Sequence, residues 1–190
     1  MELIKNRRTI RKYKDKPIPK EILEKIIDAG RWGASPHNSQ PWFFIVIEDI
    51  SLRNALIYNI NKTSRNYLTS TNILFKKSIR ILETAPVIIL VYNNHYLSKK
   101  VFELEESISS LAYISEIEGI SSTIQNMQLV AFSLNLGMAW LTMPLISKEQ
   151  INNLIATKDE LVAILTLGYP AEKGQRLKRK PLSETVRYIK

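Results

Sequence analysis

The stretch Pro86-Val87-Ile88-Ile89-Leu90-Val91-Tyr92 is a continuous apolar run of strand length, introduced by a proline. A strand with one wet face alternates polar and apolar residues, whereas a strand covered on both faces reads as an unbroken hydrophobic run. The run therefore predicts a central strand, and the flanking patterns supply the rest of a layered fold. Upstream, Phe43 to Ile47 is a short β-branched and aromatic run that predicts a second buried strand. Downstream, Ala139–Thr142 and Leu161–Tyr169 predict two more.

Helical patterns lie between these strands. After the extended lead-in Pro17-Ile18-Pro19, the residues Ile18, Ile22, Leu23, Ile26 and Ile27 recur at helical spacing, and Gly30 and Gly33 mark the stop. A polar helical region covers about 51–83. A second helical pattern runs from about Phe102 to Leu136, with a break near Gly119 and an end at Gly137. Ser147-Lys148-Glu149-Gln150 has the form of a capping box and predicts a helix to about Ile155. The order α-α-β-α-β-α-β-α-β, followed by a long extended tail, reads as an α+β or α/β layer fold with helices on a modest mixed sheet. No linker, low-complexity tract or repeat divides the chain, so residues 1–190 are expected to form one domain.

Composition removes several chemistries. The chain has no cysteine, which excludes disulfides, zinc–thiolate sites, iron–sulfur clusters and cysteine nucleophiles. Met1 to Lys5 leads straight into arginines with no apolar run of signal-peptide length, so a cytoplasmic protein is expected. Residues 120–147 carry no charge and are long enough to span a bilayer. Gln125, Asn126, Gln128 and Asn135 would carry unpaired amides into lipid, and Gly137 and Pro144 interrupt the run, so a core helix followed by a strand is expected instead. The six glycines spell neither a dinucleotide fingerprint nor a P-loop. His37 and His95 have no clustered carboxylates near them in sequence, so no metal site is expected. A Ser-His-Asp arrangement stays open, but no Gly-x-Ser-x-Gly elbow is present, and an enzyme of this composition is expected to use a cofactor for the chemistry.

The formal charge of +9 is concentrated at the two ends: residues 1–20 hold eight Lys or Arg and residues 172–190 hold seven. Such charge serves either a polyanion surface, with dispersed contacts and steep salt dependence, or two segments that converge on one small anion. Three local constellations bear on the choice. Arg7-Arg8-Thr9-Ile10-Arg11 offers guanidinium forks and a hydroxyl suited to phosphate, or else a solvated basic terminus. Ser35-Pro36-His37-Asn38-Ser39-Gln40-Pro41-Trp42 is a polar loop between a helix stop and a strand, able to read a heterocycle edge or simply to form a proline-bounded turn. Trp140-Leu141-Thr142-Met143-Pro144 ends a strand in a turn that can present N–H groups, and Lys178-Arg179-Lys180-Pro181 can complete an anion site or remain a solvated tail.

Taken jointly, RRTIRKYKDKPIPKEILEKIIDAGRWGASPHNSQPWFFIVIE, IQNMQLVAFSLNLGMAWLTMP, LGYP and RKPLSE resemble the FMN-dependent nitroreductase family from end to end. The first fifty residues are the most specific part, and about 51–118 the least. The resemblance implies an α+β, three-layer α-β-α sandwich on a mixed, mainly antiparallel sheet. It also implies an intertwined homodimer with FMN at the subunit interface. Carried over position by position, Arg7, Arg8 and Thr9 match the contact with the FMN phosphate and ribityl chain, and Arg11 the next basic position. Pro36, His37, Asn38 and Gln40 match the loop contributed by the other subunit. Trp140, Leu141, Thr142 and Met143 match the segment that passes the flavin ring, with Met143 where the family often has glycine. Arg179 matches the C-terminal phosphate-binding cation, and Lys180 adjoins it.

The implied reaction is NAD(P)H-driven, ping-pong reduction of a nitroaromatic, quinone or similar electron-poor acceptor, with the flavin and no protein group carrying the redox step. Dehalogenation, dehydrogenation and flavin cleavage are alternatives within the same fold. A non-catalytic flavin-binding protein and a basic nucleic-acid-binding module are the alternatives outside that chemistry. The resemblance favours a small-molecule acceptor over nucleic acid or membrane as the partner.

Overall fold

The computed structural model describes residues 1–67, 69–102 and 105–189. Strands β1 (Trp42–Ile47), β2 (Val87–Asn93), β3 (Gly137–Leu141) and β4 (Glu160–Gly168) form one sheet in the order β1-β2-β4-β3, and each neighbouring pair runs antiparallel. Among the described residues, the parallel pairing is one isolated bridge, between Thr9 and Met138. The described helices are α1 (Glu2–Asn6), α2 (Lys20–Arg31), α3 (Ile50–Ser64), α4 (Thr69–Thr84), α5 (Tyr96–Phe102), α6 (Glu106–Ser133) and α7 (Lys148–Ile155).

The apolar run at 86–92 does form the interior strand β2, and every residue of that strand is buried. Ile88, Leu90 and Tyr92 pack with Leu56 and Ile60 of α3, Phe75 and Leu82 of α4 and Ile151 of α7. Val87, Ile89 and Val91 pack on the opposite side with Leu23 and Ile26 of α2 and with Ile120, Ile124 and Met127 of α6. The two-residue period of a strand thus divides one apolar run between two cores, which is the three-layer α-β-α arrangement. Each such side chain contributes roughly 1.5–3 kcal/mol of gross burial. β4 spans both cores too, with a bulge opposite Val91 and Tyr92 that sets Leu161 and Ile164 on one face.

Several expectations change. β1 is an edge strand rather than a buried one, and its Phe43 is 52% exposed. The polar helical region at 51–83 is two helices, α3 and α4, separated by a turn in which Asn66 and Tyr67 donate back to Thr63 and Ser64; Leu68 lies outside the described residues. The helical pattern from Phe102 crosses Glu103 and Leu104, which also lie outside them. Gly119 does not break α6, because its missing Cβ serves contact: a Cβ there would stand 3.2 Å from the Ala34 carbonyl and 3.3 Å from Ser35.

The end of α6 is set by Asn135, not Gly137. Asn135 is left-handed at φ 59°, its N–H reaches Phe132, and the N–H of Leu136 reaches Ala131, giving a Schellman cap built on asparagine. The expected capping box at Ser147 is not formed. Its backbone, at φ −94° and ψ 17°, leaves a 3-10 turn over Met143–Ser147 instead of arriving extended, and its buried hydroxyl makes no hydrogen bond.

The basic N-terminal arm is sewn onto the sheet. Ile10 N–H donates to the Met138 carbonyl at 3.2 Å, Lys14 N–H to Tyr169 at 2.8 Å, and Ala171 N–H to Lys12 at 2.9 Å. Tyr13 is buried and its hydroxyl donates to the Ile10 carbonyl at 2.6 Å, while Thr166 Oγ1 shares a 2.7 Å bond with it. Tyr13→Phe should therefore cost about 1–3 kcal/mol, because the buried Thr166 hydroxyl loses a partner. Urea unfolding reads this directly, and an unchanged midpoint would contradict the anchoring role. No helix among the described residues is long and apolar enough to cross a membrane.

Candidate functional site

The arm and the C-terminal tail meet. Arg7, Arg8, Thr9 and Arg11 from one end and Gln175 to Arg179 from the other line a single cleft of about 1000 Å³. Lys180 is exposed and stands outside that lining. Partial burial, then the charges of Arg179 and Arg8, lower the pKa of Arg7 from its ordinary value. Arg8 spends Nη1 on the carbonyls of Lys5 and Arg7, each at 2.7 Å. Glu172 accepts from the backbone N–H of Arg11 at 2.6 Å rather than from a guanidinium. Among the described residues, no acidic side chain forms an ion pair with Arg7, Arg8, Arg11 or Arg179. Converging cations without a counter-charge repel one another, and an anion bound between them relieves that repulsion.

Thr9 and Arg11 also line a second cavity of about 1030 Å³, so the two spaces adjoin. Its walls are mainly apolar. The end of β3 with Thr142 and Met143 forms one side, Leu74 and Ile81 of α4 another, Ile114 and Ile117 of α6 a third, and the start of β4 closes it. Trp140 is 38% exposed there. Met143 has no left-handed backbone and packs partly into the core, so methionine at this position carries no conformational strain. The Leu145 N–H closes the turn onto Thr142 at 3.0 Å.

Pro36, His37, Asn38 and Gln40 are not brought into either cavity by their own chain. They form a tight turn in which His37, Asn38 and Gln40 have φ of 49°, 54° and 45°. Such a concentration of left-handed non-glycine residues is strained, and strain of this kind collects at functional loops. Within the turn, Gln40 N–H donates to Ser35 Oγ at 3.1 Å and Gln40 Nε2 to Asn38 Oδ1 at 3.3 Å.

Sequence reading missed a polar network at the far wall of the apolar cavity. Tyr113 of α6 and Glu160 of β4 both line that cavity, and the Tyr113 hydroxyl donates to Glu160 Oε1 at 3.1 Å. His95 Nε2 stands 3.1 Å from Glu160 Oε2, and its ring stacks on Tyr113 with centroids 5.8 Å apart. Behind His95 is the fully buried Glu116, which accepts from Leu97 N–H, Ser98 N–H, Ser98 Oγ and Asn93 Nδ2. Burial first, then Glu160, raises the pKa of Tyr113. Lys77 of α4, also absent from the sequence expectations, lines the same cavity. Among the described residues, no group of three or more His, Cys, Asp or Glu is arranged to hold a metal ion.

A cation-rich cleft thus opens on an apolar cavity beside the sheet of a three-layer α-β-α fold. The chain belongs to the Nitroreductase family, whose profile matches residues 4–169. It is 30% identical over 176 residues to a Methanothermobacter thermautotrophicus protein named as a candidate NADH dehydrogenase/NAD(P)H nitroreductase, covering 90% of this chain and 78% of that one. It is 28% identical over 198 residues to iodotyrosine deiodinase of Nematostella vectensis, covering 96% of this chain and 72% of the relative. Among solved structures, a BluB-like flavoprotein from Clostridium difficile 630 superposes with a TM-score of 0.86 at 24% identity, covering 100% of this chain and 98% of that one. That last likeness speaks to the fold.

Proposed function

We propose that this protein is an FMN-dependent oxidoreductase that draws electrons from NADH or NADPH and passes them to an electron-poor acceptor such as a nitroaromatic or quinone. The observation that carries the reading is the junction at Thr9 and Arg11 between an uncompensated arginine cleft and an apolar cavity. These residues fit FMN. Arg7, Arg8, Arg11 and Arg179 would hold the phosphate by charge-assisted hydrogen bonds, with Thr9 on the ribityl chain. Trp140, Leu141, Thr142 and Met143 would border the ring. When bound, FMN supplies the two-electron chemistry; the apolar walls exclude water and the arginines fix orientation.

The same reading includes a homodimer. Ile108, Leu111 and Ile114 of α6 are 43%, 61% and 52% exposed, and Leu182 and Tyr188 of the tail are 67% and 78% exposed. Apolar surface of this extent fits a partner subunit, which would also bring the Pro36–Gln40 loop to the flavin. Leu111→Asp with Ile114→Asp should give a particle of single-chain mass by light scattering, against twice that mass for the natural protein. A natural protein of single-chain mass would sink the dimer proposal, and a variant that keeps twice that mass would move the interface off this face of α6.

The decisive experiment is an absorbance spectrum of the purified protein after addition of FMN, followed by anaerobic NADH or NADPH. Flavin bands that bleach with either nucleotide are expected, and a protein that takes up no FMN defeats the reading. The likeness to iodotyrosine deiodinase supports a second reading, reductive dehalogenation of an aromatic. Comparing turnover of a halogenated phenol with that of a quinone separates the two.

A further inference from the structure

We propose that Tyr113, Glu160 and His95 form a proton relay that delivers to the acceptor the proton its reduction requires. The inference rests on the oxidoreductase reading above and extends it to residues that reading does not use.

Hydrogen-bond accounting places the proton. The Ser98 hydroxyl has one hydrogen, and it goes to Glu116 Oε2 at 2.8 Å. His95 Nδ1 stands 3.2 Å from Ser98 Oγ, which can then only accept, and 3.5 Å from Asn93 Nδ2, which can only donate; the second contact is at the limit of hydrogen-bond distance, so the nearer one decides and Nδ1 carries a hydrogen. In a neutral imidazole that leaves Nε2 with a lone pair, facing Glu160 Oε2 at 3.1 Å. Glu160 Oε2 is buried and makes no hydrogen bond of its own. Two lone pairs at that distance repel, and a proton on Nε2 replaces the repulsion with attraction between opposite charges. On its other oxygen, Glu160 accepts from Tyr113, whose raised pKa keeps the phenol protonated.

The chain of groups therefore runs from solvent to cavity. The His95 side chain is 26% exposed, Glu160 lies between, and Tyr113 lines the apolar cavity. Two-electron reduction of a quinone adds a hydride from the donor side and one proton. The acceptor oxygen replaces Glu160 Oε1 as the partner of the Tyr113 hydroxyl and takes its proton; the Glu160 carboxyl, protonated by His95 at Oε2, turns to return a proton to the phenolate, and the His95 imidazole is reloaded from water. The titratable groups facing His95 are Glu116 and Tyr113 on α6 and Glu160 on β4; Lys99 on α5 turns instead to the Asn94 carbonyl. Tyr113 is the group presented to the acceptor, and Glu160 and His95 act through it.

The test compares reoxidation of the reduced holoenzyme by a quinone, which needs a proton, with reoxidation by ferricyanide, which needs none. Tyr113→Phe should lower the quinone-to-ferricyanide rate ratio by about 10²-fold, within the usual range for general-acid catalysis. Glu160→Gln should lower it at least about tenfold and flatten the pH profile of the quinone reaction, as should His95→Asn, chosen because His95 has φ 58° and asparagine tolerates that conformation. A second readout needs no turnover: nitrogen-15 NMR of the protein as purified should find His95 protonated at Nδ1. An unchanged rate ratio in all three variants, or a bare Nδ1, overturns the relay alone. A protein that takes up no FMN overturns the oxidoreductase reading and the relay with it.

Discussion

Gly137→Val is expected to destabilise the protein by roughly 2–5 kcal/mol and to disorganise the arginine cleft at the same time. A Cβ at Gly137 would collide with Cγ1 and Cβ of Ile10. Gly137 pairs with Gly168, and a Cβ on that glycine would meet Tyr13 and Pro86 at 2.7–2.9 Å. Two facing glycines thus leave the surface over which the arm from Ile10 to Tyr13 lies against the sheet. Valine favours strands by up to about 1 kcal/mol, which opposes the effect. Overpacking typically costs about 1–3 kcal/mol, and expelling the buried Ile10 side chain adds roughly 1.5–3. Crowding therefore wins. Because Arg7, Arg8 and Arg11 ride on the same arm, anion affinity should fall with stability. Urea unfolding combined with FMN titration tests both, and a variant of natural stability would mean that Ile10 can leave without consequence.

The parts of this molecule legible in the sequence are those whose physics is local. β2 was legible because burial on both faces leaves no polar residue in the run. Position within the sheet was less so: β1 is aromatic and β-branched like a core strand, yet nothing local states that, among the described residues, only β2 lies beside it. Glycine misled at Gly119, where the chain needs close contact with the Ala34–Ser35 backbone rather than a bend. The asparagine cap at Asn135 carried a signal, since asparagine is the commonest alternative to glycine in a left-handed cap. In the candidate site, the clustered arginines and Trp140–Met143 stand out as contiguous motifs. Tyr113 and Glu160 do not, because they are 47 positions apart and meet only through the packing of α6 on the sheet. His95 looked isolated for the same reason: both of its carboxylate neighbours are supplied by other elements.

Replacing Arg7 and Arg179 together with alanine is expected to weaken FMN binding by about 10²–10⁴-fold, since charge-assisted hydrogen bonds contribute roughly 1.5–3 kcal/mol each. The loss should come without a loss of fold. Arg7 is held near Arg8 and Arg179 with no acidic partner among the described residues, so the protein without ligand is relieved of like-charge repulsion when two of the three are removed. A thermal midpoint equal to or above that of the natural protein, together with weakened FMN titration, is the signature of an anion site. A lowered midpoint would instead assign these arginines to the scaffold. Lys12→Ala with Lys14→Ala is the matching control, because both side chains are exposed and neither lines the cleft. A protein that used its +9 charge on a nucleic acid would lose affinity about equally from either pair, in proportion to charge removed. A protein that holds one phosphate loses it only with the arginines, and the two double variants therefore separate a site from a surface.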